Sequence, residues 1–177
     1  SKPGQGTWTT SPRPQPAGPP GAALVDAIRL SESFQRYAPE AWDVMQPTVP
    51  FVHNWHHDAY AEHLQAVSEG QIQYLLISVA PRHTKSWYAG VFWPTWHWTR
   101  WPSAQFIFAS YKLDFAVRDA IFSRRLMNSP WFRHRWGCSC EEIGHAEWCG
   151  AFRWTDDQNV KESYRNDRGG ARLTASV

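Results

Sequence analysis

The chain has 177 residues, which is enough for one domain with a hydrophobic core but not for two. Its 18 basic and 16 acidic residues give a formal net charge of +2, which excludes nucleic-acid binding driven by overall charge and leaves only local basic patches. Three cysteines and no charged-then-apolar leader argue against a secreted disulfide framework and favour a cytoplasmic compartment. No apolar stretch reaches the ~20 residues of a membrane helix, so we expect no membrane span.

The first third of the chain predicts a leader followed by helices. Residues 1 to 21 are rich in proline and glycine and have little to bury, and we expect a flexible leader there. The apolar spacing of residues 22 to 45 predicts two helices with a break near Pro39. Asn54 is expected to cap a third helix, which Gly70 stops.

The middle of the chain predicts an α/β fold. Residues 72 to 79 form an apolar run typical of a buried strand, and a helix is expected from Lys85 until Pro94 ends or kinks it. Residues 105 to 109 predict a second strand, fully buried because the apolar run is unbroken. A helix follows, and strand, helix, strand, helix at this spacing predicts a parallel sheet with crossover helices. Residues 158 to 164 and 171 to 177 predict short strands. The dense tryptophans of residues 87 to 101 predict packing, with a few exposed rings.

The loop Ala80-Pro81-Arg82-His83-Thr84-Lys85-Ser86 follows the first predicted strand. A phosphate-binding loop has this order of parts, because its lysine reaches the β and γ oxygens and its hydroxyl binds Mg²⁺ where a helix begins. The pattern G-x-x-x-x-G-K-[ST] has glycine where Val79 and Thr84 stand. Thr84 matters more, since a β-branched residue tolerates a positive φ poorly. A chance Lys-Ser pair after a strand is the alternative.

Other stretches, together with this loop, resemble successive motifs of the bacteriophage large terminase ATPase domain over roughly residues 34 to 177. That family's loop commonly reads Pro-Pro-Arg-His-Gly-Lys-Ser, so Val79 fits it and only Ala80 and Thr84 depart. The other stretches are Pro50-Phe51-Val52-His53-Asn54-Trp55-His56, Phe108-Ala109-Ser110-Tyr111, Ser129-Pro130-Trp131-Phe132, Asp157-Gln158-Asn159 and Asn166-Asp167-Arg168-Gly169-Gly170.

The resemblance implies a P-loop NTPase-type parallel sheet in residues 22 to 177, as a partial ATPase domain. It implies a motor in which ATP hydrolysis on a homo-oligomeric ring of subunits drives double-stranded DNA translocation. The implied partners are a portal protein and a small terminase subunit, in the cytoplasm of an infected bacterium. After the last predicted strand that family has an acidic strand that holds Mg²⁺, and later a nuclease domain. This sequence has neither, so we expect nucleotide binding with poor hydrolysis.

The resemblance also implies residue roles. Lys85 and Ser86 would bind the β/γ phosphates and Mg²⁺, and Arg82 would stabilise charge on the transferred phosphoryl group. Phe51, Trp55 and His56 resemble the adenine-contacting motif, and a helix start packed on the core is an equally open alternative. Ser110 and Tyr111 would lie where ligands of doubly wound sheets bind, unless Ser110 is a helix cap. The implied contacts of ATP with the loop are Ala80, Pro81, Arg82, His83, Thr84, Lys85 and Ser86.

Two further groups leave alternatives open. Cys138, Cys140, His145 and Cys149 supply three thiolates and one imidazole for a structural Zn²⁺, but their spacing fits no common knuckle and free thiols are the alternative. A set of basic residues would face DNA phosphates or a neighbouring subunit, or else solvent. These basic residues are Arg124, Arg125, Arg133, His134, Arg135, Arg165, Arg168 and Arg172.

Two other functions compete with the packaging motor. The first is a non-enzymatic nucleic-acid-binding module that uses the Cys/His cluster and the arginines, with an inactive phosphate loop. The second is another ATPase of the same broad fold, such as a helicase.

Overall fold

The computed structural model describes residues 20–137, 152–155 and 163–176. Within them the protein has a mixed α/β fold, mainly helical, with one sheet of three strands. The helices are α1 (Pro20–Glu32), α2 (Phe34–Met45), α3 (Trp55–Ser68), a π-helix (Ser86–Phe92) that continues into α4 (Trp93–Arg100), α5 (Leu113–Met127) and α6 (Pro130–Trp136). The strands are β1 (Gln105–Ser110), β2 (Ser163–Arg165) and β3 (Ala171–Ser176). No helix in these ranges is long and apolar enough to cross a membrane.

The first two helices confirm the prediction of a broken helical segment, but the predicted position of the break was wrong. The break lies at Ser33, whose backbone is extended and whose side chain accepts a hydrogen bond from the Arg36 N–H. Pro39 lies inside α2. Its ring removes only the hydrogen bond to the Gln35 carbonyl, and Gln35 is exposed to water. The capping preference of serine therefore sets the boundary.

Helix α3 confirms both predicted ends. The Asn54 side chain accepts from the Trp55 N–H at 2.8 Å, and the His57 ring accepts from the Asn54 N–H at 3.1 Å. The Asn54 side chain also accepts from the His57 N–H, and this bond and the His57 ring bond form a capping box in which histidine takes the place usually held by Glu or Gln. Gly70 follows the helix with a φ of 74°, the left-handed conformation that glycine favours.

Aromatic side chains build the core between the helices. Trp96 and Trp98 are fully buried, and each indole N–H donates to a backbone carbonyl, that of Leu30 at 3.0 Å and that of Ala104 at 2.9 Å. The tryptophan-dense stretch therefore packs as predicted, with its other rings partly buried against the same cluster.

Residues 72–79 are extended but unpaired, so the predicted buried strand was wrong. Among the described residues, the backbone groups of 73–79 form no hydrogen bond to another backbone group. Leu75, Ile77 and Val79 pack against the core, whereas Tyr74 and Leu76 are 88% and 92% exposed. An apolar run specifies a side-chain pattern, but a buried strand also needs neighbouring strands on its edges.

The sheet has the order β1-β3-β2, with β1 parallel to β3 and β2 antiparallel to it. β1 and β3 confirm the strands predicted over 105–109 and 171–177, whereas β2 overlaps the strand predicted over 158–164 only at its end, because residues 158–162 lie outside the described ranges. The parallel sheet expected from residues 72–79 and 105–109 is not formed, and the parallel pair among the described residues is β1 with β3. The expectation that β1 is fully buried was wrong, because Ile107 is 73% exposed while Phe106 packs against the core. Within the described residues only one face of β1 is covered, so an apolar run there does not mean burial on both faces.

The helix after the 80–86 loop was expected to end or kink at Pro94, and it does not end there. It is wound as a π-helix over Ser86–Phe92 and returns to α-helical winding with Pro94 in its first turn. Proline lacks the N–H that would bond to the Gly90 carbonyl. That carbonyl lies 3.3 Å from the Ser123 hydroxyl oxygen of α5, which lies closer, at 2.9 Å, to the Asp119 carbonyl.

Helix α5 covers both the π-helix and the sheet. Its buried residues include Ala116 and Ala120, whereas Ile121 is 39% exposed. Helix α6 was not predicted. Ser129 caps it by accepting from the Phe132 N–H at 3.2 Å.

Candidate functional site

The 80–86 loop has a special backbone at two positions. Within the described ranges, Arg82 and Thr84 are the two non-glycine residues with a positive φ, at 69° and 58°. Thr84 stands where the phosphate-loop pattern has glycine, and it adopts the left-handed conformation that glycine would supply without strain. The backbone at position 84 therefore has the conformation expected for glycine, although the residue there is threonine.

Side chains of α3 hold the loop from behind. His57 Nε2 lies 3.0 Å from Thr84 Oγ1, and the Thr84 hydroxyl donates to the His83 carbonyl at 2.7 Å. The Tyr60 hydroxyl donates to the same carbonyl at 3.1 Å. The His83 ring in turn bonds back to the Ala80 carbonyl at 3.1 Å. Together these bonds fix the loop around a turn.

The front of the loop faces a cavity of about 370 Å³. Residues 79–87 form one wall, and Arg118, Asp119 and Phe122 of α5 form the other. Arg82 and Lys85 are exposed there, and neither forms a hydrogen bond or an ion pair within the part of the chain that the structure describes. Two unpaired cations therefore face the cavity from the loop.

Backbone donors reinforce this positive potential. The N–H groups of Lys85, Ser86 and Trp87 donate to no acceptor among the described residues, as expected for a first helical turn. The Ser86 side chain is exposed beside them. Free N–H groups, a lysine and a hydroxyl at the start of a helical segment are suited to binding an anion.

Asp119 is the acidic side chain on this wall, and sequence analysis missed it. Its Oδ1 accepts from Arg118 Nε at 3.0 Å and from Arg118 Nη2 at 2.8 Å. Burial raises the pKa of the Asp119 carboxyl, while Arg118 and then Arg172 act in the opposite direction. The only signal in the sequence was its position three residues after Ala116, on the buried side of α5. That position indicates a site residue only when it is known what α5 faces.

A second cavity, of about 540 Å³, adjoins the first through shared walls at Lys85, Ser86, Arg118 and Asp119. The C-terminal end of β1 contributes Ser110 and Tyr111, as the rule for strand ends predicts. The alternative role of Ser110 as a helix cap was wrong, since the residue before α5 is Lys112 and no side chain caps that helix.

Arg172 also lines the second cavity, and its predicted exposure to DNA or a neighbouring subunit was wrong. The side chain is only 1% exposed. Its Nη1 donates to Ser123 Oγ at 2.7 Å, and its guanidinium carbon lies 3.9 Å from the centre of the Phe108 ring. Among the described residues, its Nε and Nη2 have no hydrogen-bond partner. Burial lowers the pKa of this guanidinium, and Tyr164 and Asp119 raise it.

The other predicted basic residues are dispersed. Arg135 forms ion pairs with Asp26 at 2.6 Å and Glu40 at 3.9 Å, so it ties α6 to the first two helices. Arg125, Arg133, His134, Arg165 and Arg168 are exposed on several elements.

The residues of the adenine-like motif separate into two groups. Trp55, which is 76% exposed, and His56 line a third cavity of about 480 Å³ with residues 75–80 and His83. Phe51 lies elsewhere, with its ring centre 4.9 Å from that of His57 and 6.0 Å from that of Trp42. The structure therefore brings Trp55 and His56 to the loop, whereas Phe51 packs against the core.

The Asn166-Asp167-Arg168-Gly169-Gly170 stretch is a structural turn. Asn166 is buried, and its Oδ1 accepts from the N–H groups of Arg168 at 3.0 Å and Gly170 at 2.8 Å. Its Nδ2 donates to the Pro102 carbonyl at 2.8 Å. This side chain therefore joins the turn before β3 to the segment that leads into β1.

Cys138, Cys140, His145 and Cys149 lie outside the described residues, as do Asp156 and Asp157. Within the described ranges, no group of three or more His, Cys, Asp or Glu side chains is arranged to hold a metal ion. The zinc prediction therefore stays a prediction.

Comparison of the chain with protein-family models, with curated proteins and with solved structures gave no match. The candidate site is therefore defined by the chain's own residues.

Proposed function

We propose that this chain binds ATP-Mg²⁺ through the 80–86 loop, as the nucleotide-binding segment of a viral DNA-packaging ATPase of the large terminase type. The left-handed backbone of Thr84, with its φ of 58°, is the observation that supports this most strongly. A β-branched residue does not favour that conformation by itself. A loop that curves so that its N–H groups face a phosphate chain requires such a conformation.

The charges around the loop favour a polyanion. Arg82 and Lys85 of the loop and Arg118 of α5 line the first cavity. Arg172 lines the second cavity, which adjoins it. Among the residues that the structure describes, Asp119 is the single acidic side chain that lines either of these cavities. In a partly enclosed site this excess of positive charge attracts a triphosphate more strongly than it would in open water.

The P-loop NTPase-type assignment rests on the same loop and on its sequence resemblance. In that assignment Lys85 contacts the β and γ phosphates, and Arg82 stabilises charge on the transferred group. The exposed Ser86 hydroxyl and the Asp119 carboxylate are the side chains suited to Mg²⁺, which commonly takes one or two protein oxygens besides phosphates and water. Bound Mg²⁺ would neutralise charge on the phosphates.

The base would occupy the third cavity, next to Trp55 and His56. This cavity and the phosphate-facing cavity share Val79, Ala80 and His83, so one ligand can extend across the first half of the loop. The exposed indole of Trp55 offers a flat apolar surface for stacking. A purine nucleotide fits this combination of a stacking ring and a cationic loop.

Hydrolysis, the ring of subunits, double-stranded DNA, the portal protein and the small subunit enter this proposal from the sequence resemblance. The residues described here support nucleotide binding more directly than turnover. Asp119 is paired with Arg118, so it is poorly placed to activate water without first leaving that pair.

Equilibrium binding of ATP-Mg²⁺ to the whole chain tests the proposal. We expect saturable binding by the native chain and loss of binding in Lys85→Ala. Lys112→Ala removes an exposed lysine that lines none of the three cavities, and we expect it to bind as the native chain does. A folded native chain without affinity for ATP-Mg²⁺, or equal binding by both variants, would overturn it.

A further inference from the structure

We propose that His57 is a positioning residue that holds Thr84 in its left-handed conformation, and so replaces the glycine that a phosphate loop otherwise requires. This inference rests on the proposed nucleotide binding. It assigns to α3, a helix outside the loop, the task of keeping the loop open for a phosphate chain.

The hydrogen bonds around His57 have a fixed direction. Its Nδ1 lies 3.1 Å from the Asn54 N–H, which can only donate, so Nδ1 is the ring nitrogen without a proton. The other nitrogen, Nε2, then carries the hydrogen and donates to Thr84 Oγ1 at 3.0 Å. The Thr84 hydroxyl is left free to donate onward to the His83 carbonyl at 2.7 Å. Each group in this series of hydrogen bonds can therefore act only as the donor or acceptor that its neighbour requires.

The His57 ring is itself immobilised. It stacks on Tyr88 with ring centres 5.3 Å apart and planes 11° apart, and Phe51 lies on it at 4.9 Å. The side chain is 6% exposed. Burial lowers the pKa of His57 to about 4, so the neutral ring with its single donor persists at neutral pH.

Thr84 is also held through its backbone. Its carbonyl accepts from the Tyr88 N–H at 3.1 Å, and Tyr88 is the residue on which His57 stacks. One threonine is thus fixed at its hydroxyl by α3 and at its carbonyl by the π-helix. Arg82 is the other residue with a left-handed backbone, and it is not β-branched. Among the described residues, no side-chain hydrogen bond holds it in that conformation.

We call the hydrogen bond from His57 to Thr84 the tether. It is needed because a β-branched residue is strained in the left-handed conformation. Without His57, the loop would spend more time in ordinary conformations that close the cradle. Apparent nucleotide affinity would then fall with the fraction of molecules in the open conformation. Glycine at position 84 would remove the strain and make the tether unnecessary.

A double-mutant cycle with ATP-Mg²⁺ tests this directly. His57→Phe keeps the ring stack and removes both nitrogens, and we expect affinity to fall roughly tenfold. In the Thr84→Gly background the same change should alter affinity by less than about twofold. Equal losses in both backgrounds, or no loss in the native loop, would overturn the proposal.

Two other variants separate the tether from the helix cap. Asn54→Ala weakens the same end of α3 without removing the bond to Thr84, but Asn54 lines the third cavity, so this variant is compared by hydrogen exchange and not by affinity. Thr84→Val removes the hydroxyl at nearly constant shape and should behave like His57→Phe. An unchanged affinity in Thr84→Val, which leaves the cap intact, would assign the effect of His57→Phe to the cap and overturn the proposal.

Amide hydrogen exchange of the ligand-free chain distinguishes failure of the tether from failure of nucleotide binding. The Tyr88 amide, bonded to Thr84, should exchange faster in His57→Phe and at the native rate in Asn54→Ala. An unchanged Tyr88 rate in His57→Phe overturns the tether, whatever the affinity for ATP. Faster exchange in a chain that binds no ATP supports the tether and overturns the proposed function instead.

Discussion

The guanidinium carbon of Arg172 lies 3.9 Å from the centre of the Phe108 ring, across the parallel pair of β3 and β1. The cation is almost fully buried, with one hydrogen bond to Ser123 and two nitrogens that have no partner in the described part of the chain. Asp119 provides the nearby negative charge that opposes the fall in its pKa. An arginine in this setting stabilises the fold weakly for its size, because burial of the charge is costly.

We predict that Arg172→Met leaves the free energy of unfolding unchanged or raises it, because methionine fills much of the space without a buried charge. Arg172→Ala should lower it by roughly 3 kcal/mol, because the smaller side chain leaves a cavity. Urea denaturation of both variants measures the difference. Equal destabilisation by the two changes would mean that the charge itself, not the volume, holds the sheet to α5.

A second prediction concerns the two glycines before β3. A Cβ at Gly170 would overlap the Pro102 carbonyl oxygen, while a Cβ at Gly169 would meet nothing within 4 Å. Gly169→Ala should cost about 1 to 2 kcal/mol from its φ of 85° alone. Gly170→Ala should cost more than about 3 kcal/mol, since backbone must move.

Thermal or urea unfolding of the two variants checks this order. If Gly169→Ala proved the more damaging change, the close approach of the turn to Pro102 would be wrong.

The unpaired segment 72–79 provides a third prediction. Leu76 is 92% exposed and Ile77 packs on the core, so Leu76→Lys should change the free energy of unfolding by less than about 0.5 kcal/mol. Ile77→Lys should lower it by roughly 1 to 3 kcal/mol, since it places a charge against apolar side chains. Similar effects at both positions would contradict the one-sided packing of this segment.

The fourth prediction is a loss of stability in acid. Burial is the main cause that lowers the pKa of both His57 and His97 from 6.5 to about 4. Between these values the unfolded chain binds protons that the folded chain does not, so the free energy of unfolding falls as pH decreases from 6.5 to 4. His53 and His56 add to the shift of His57 and Asp58 opposes it, while Arg100 adds to that of His97.

Urea denaturation at several pH values measures this slope, and His97→Gln should make it shallower. Asp119 has the opposite effect on the free energy of unfolding. Its pKa is raised in the folded chain, so as pH falls the folded chain binds this proton before the unfolded chain does. A free energy of unfolding that stays constant from pH 6.5 to 4 would contradict the burial of the two imidazoles.

Local signals in the sequence predicted local structure well. Asn54 and Gly70 mark the ends of α3 because capping and left-handed glycine depend on a few adjacent residues. The break at Ser33 was missed although it is local, because Pro39 was given more weight than a serine cap. Strand pairing is not local, so the apolar run of residues 72–79 could not reveal that its backbone lacks partners among the described residues.

The candidate site was predicted only in its linear part. The 80–86 loop, Ser110, Trp55 and His56 all line the cavities. Asp119 and Arg172 were missed or misplaced, because their roles depend on which side chains α5 and β3 face. His57 was missed because it looks like an ordinary residue of a helix start until its distance to Thr84 is known.

The most direct test of the central claim is a comparison of ATP-Mg²⁺ and AMP by isothermal titration calorimetry on the native chain. A site built around Lys85, Arg82 and the first helical turn gains most of its binding free energy from the β and γ phosphates. We therefore predict that ATP-Mg²⁺ binds at least about tenfold more tightly than AMP, as one lost charged contact already costs roughly 1.5 to 3 kcal/mol. Equal affinities for ATP-Mg²⁺ and AMP, or no binding of either by the folded chain, would contradict the assignment of the 80–86 loop as a phosphate-binding site.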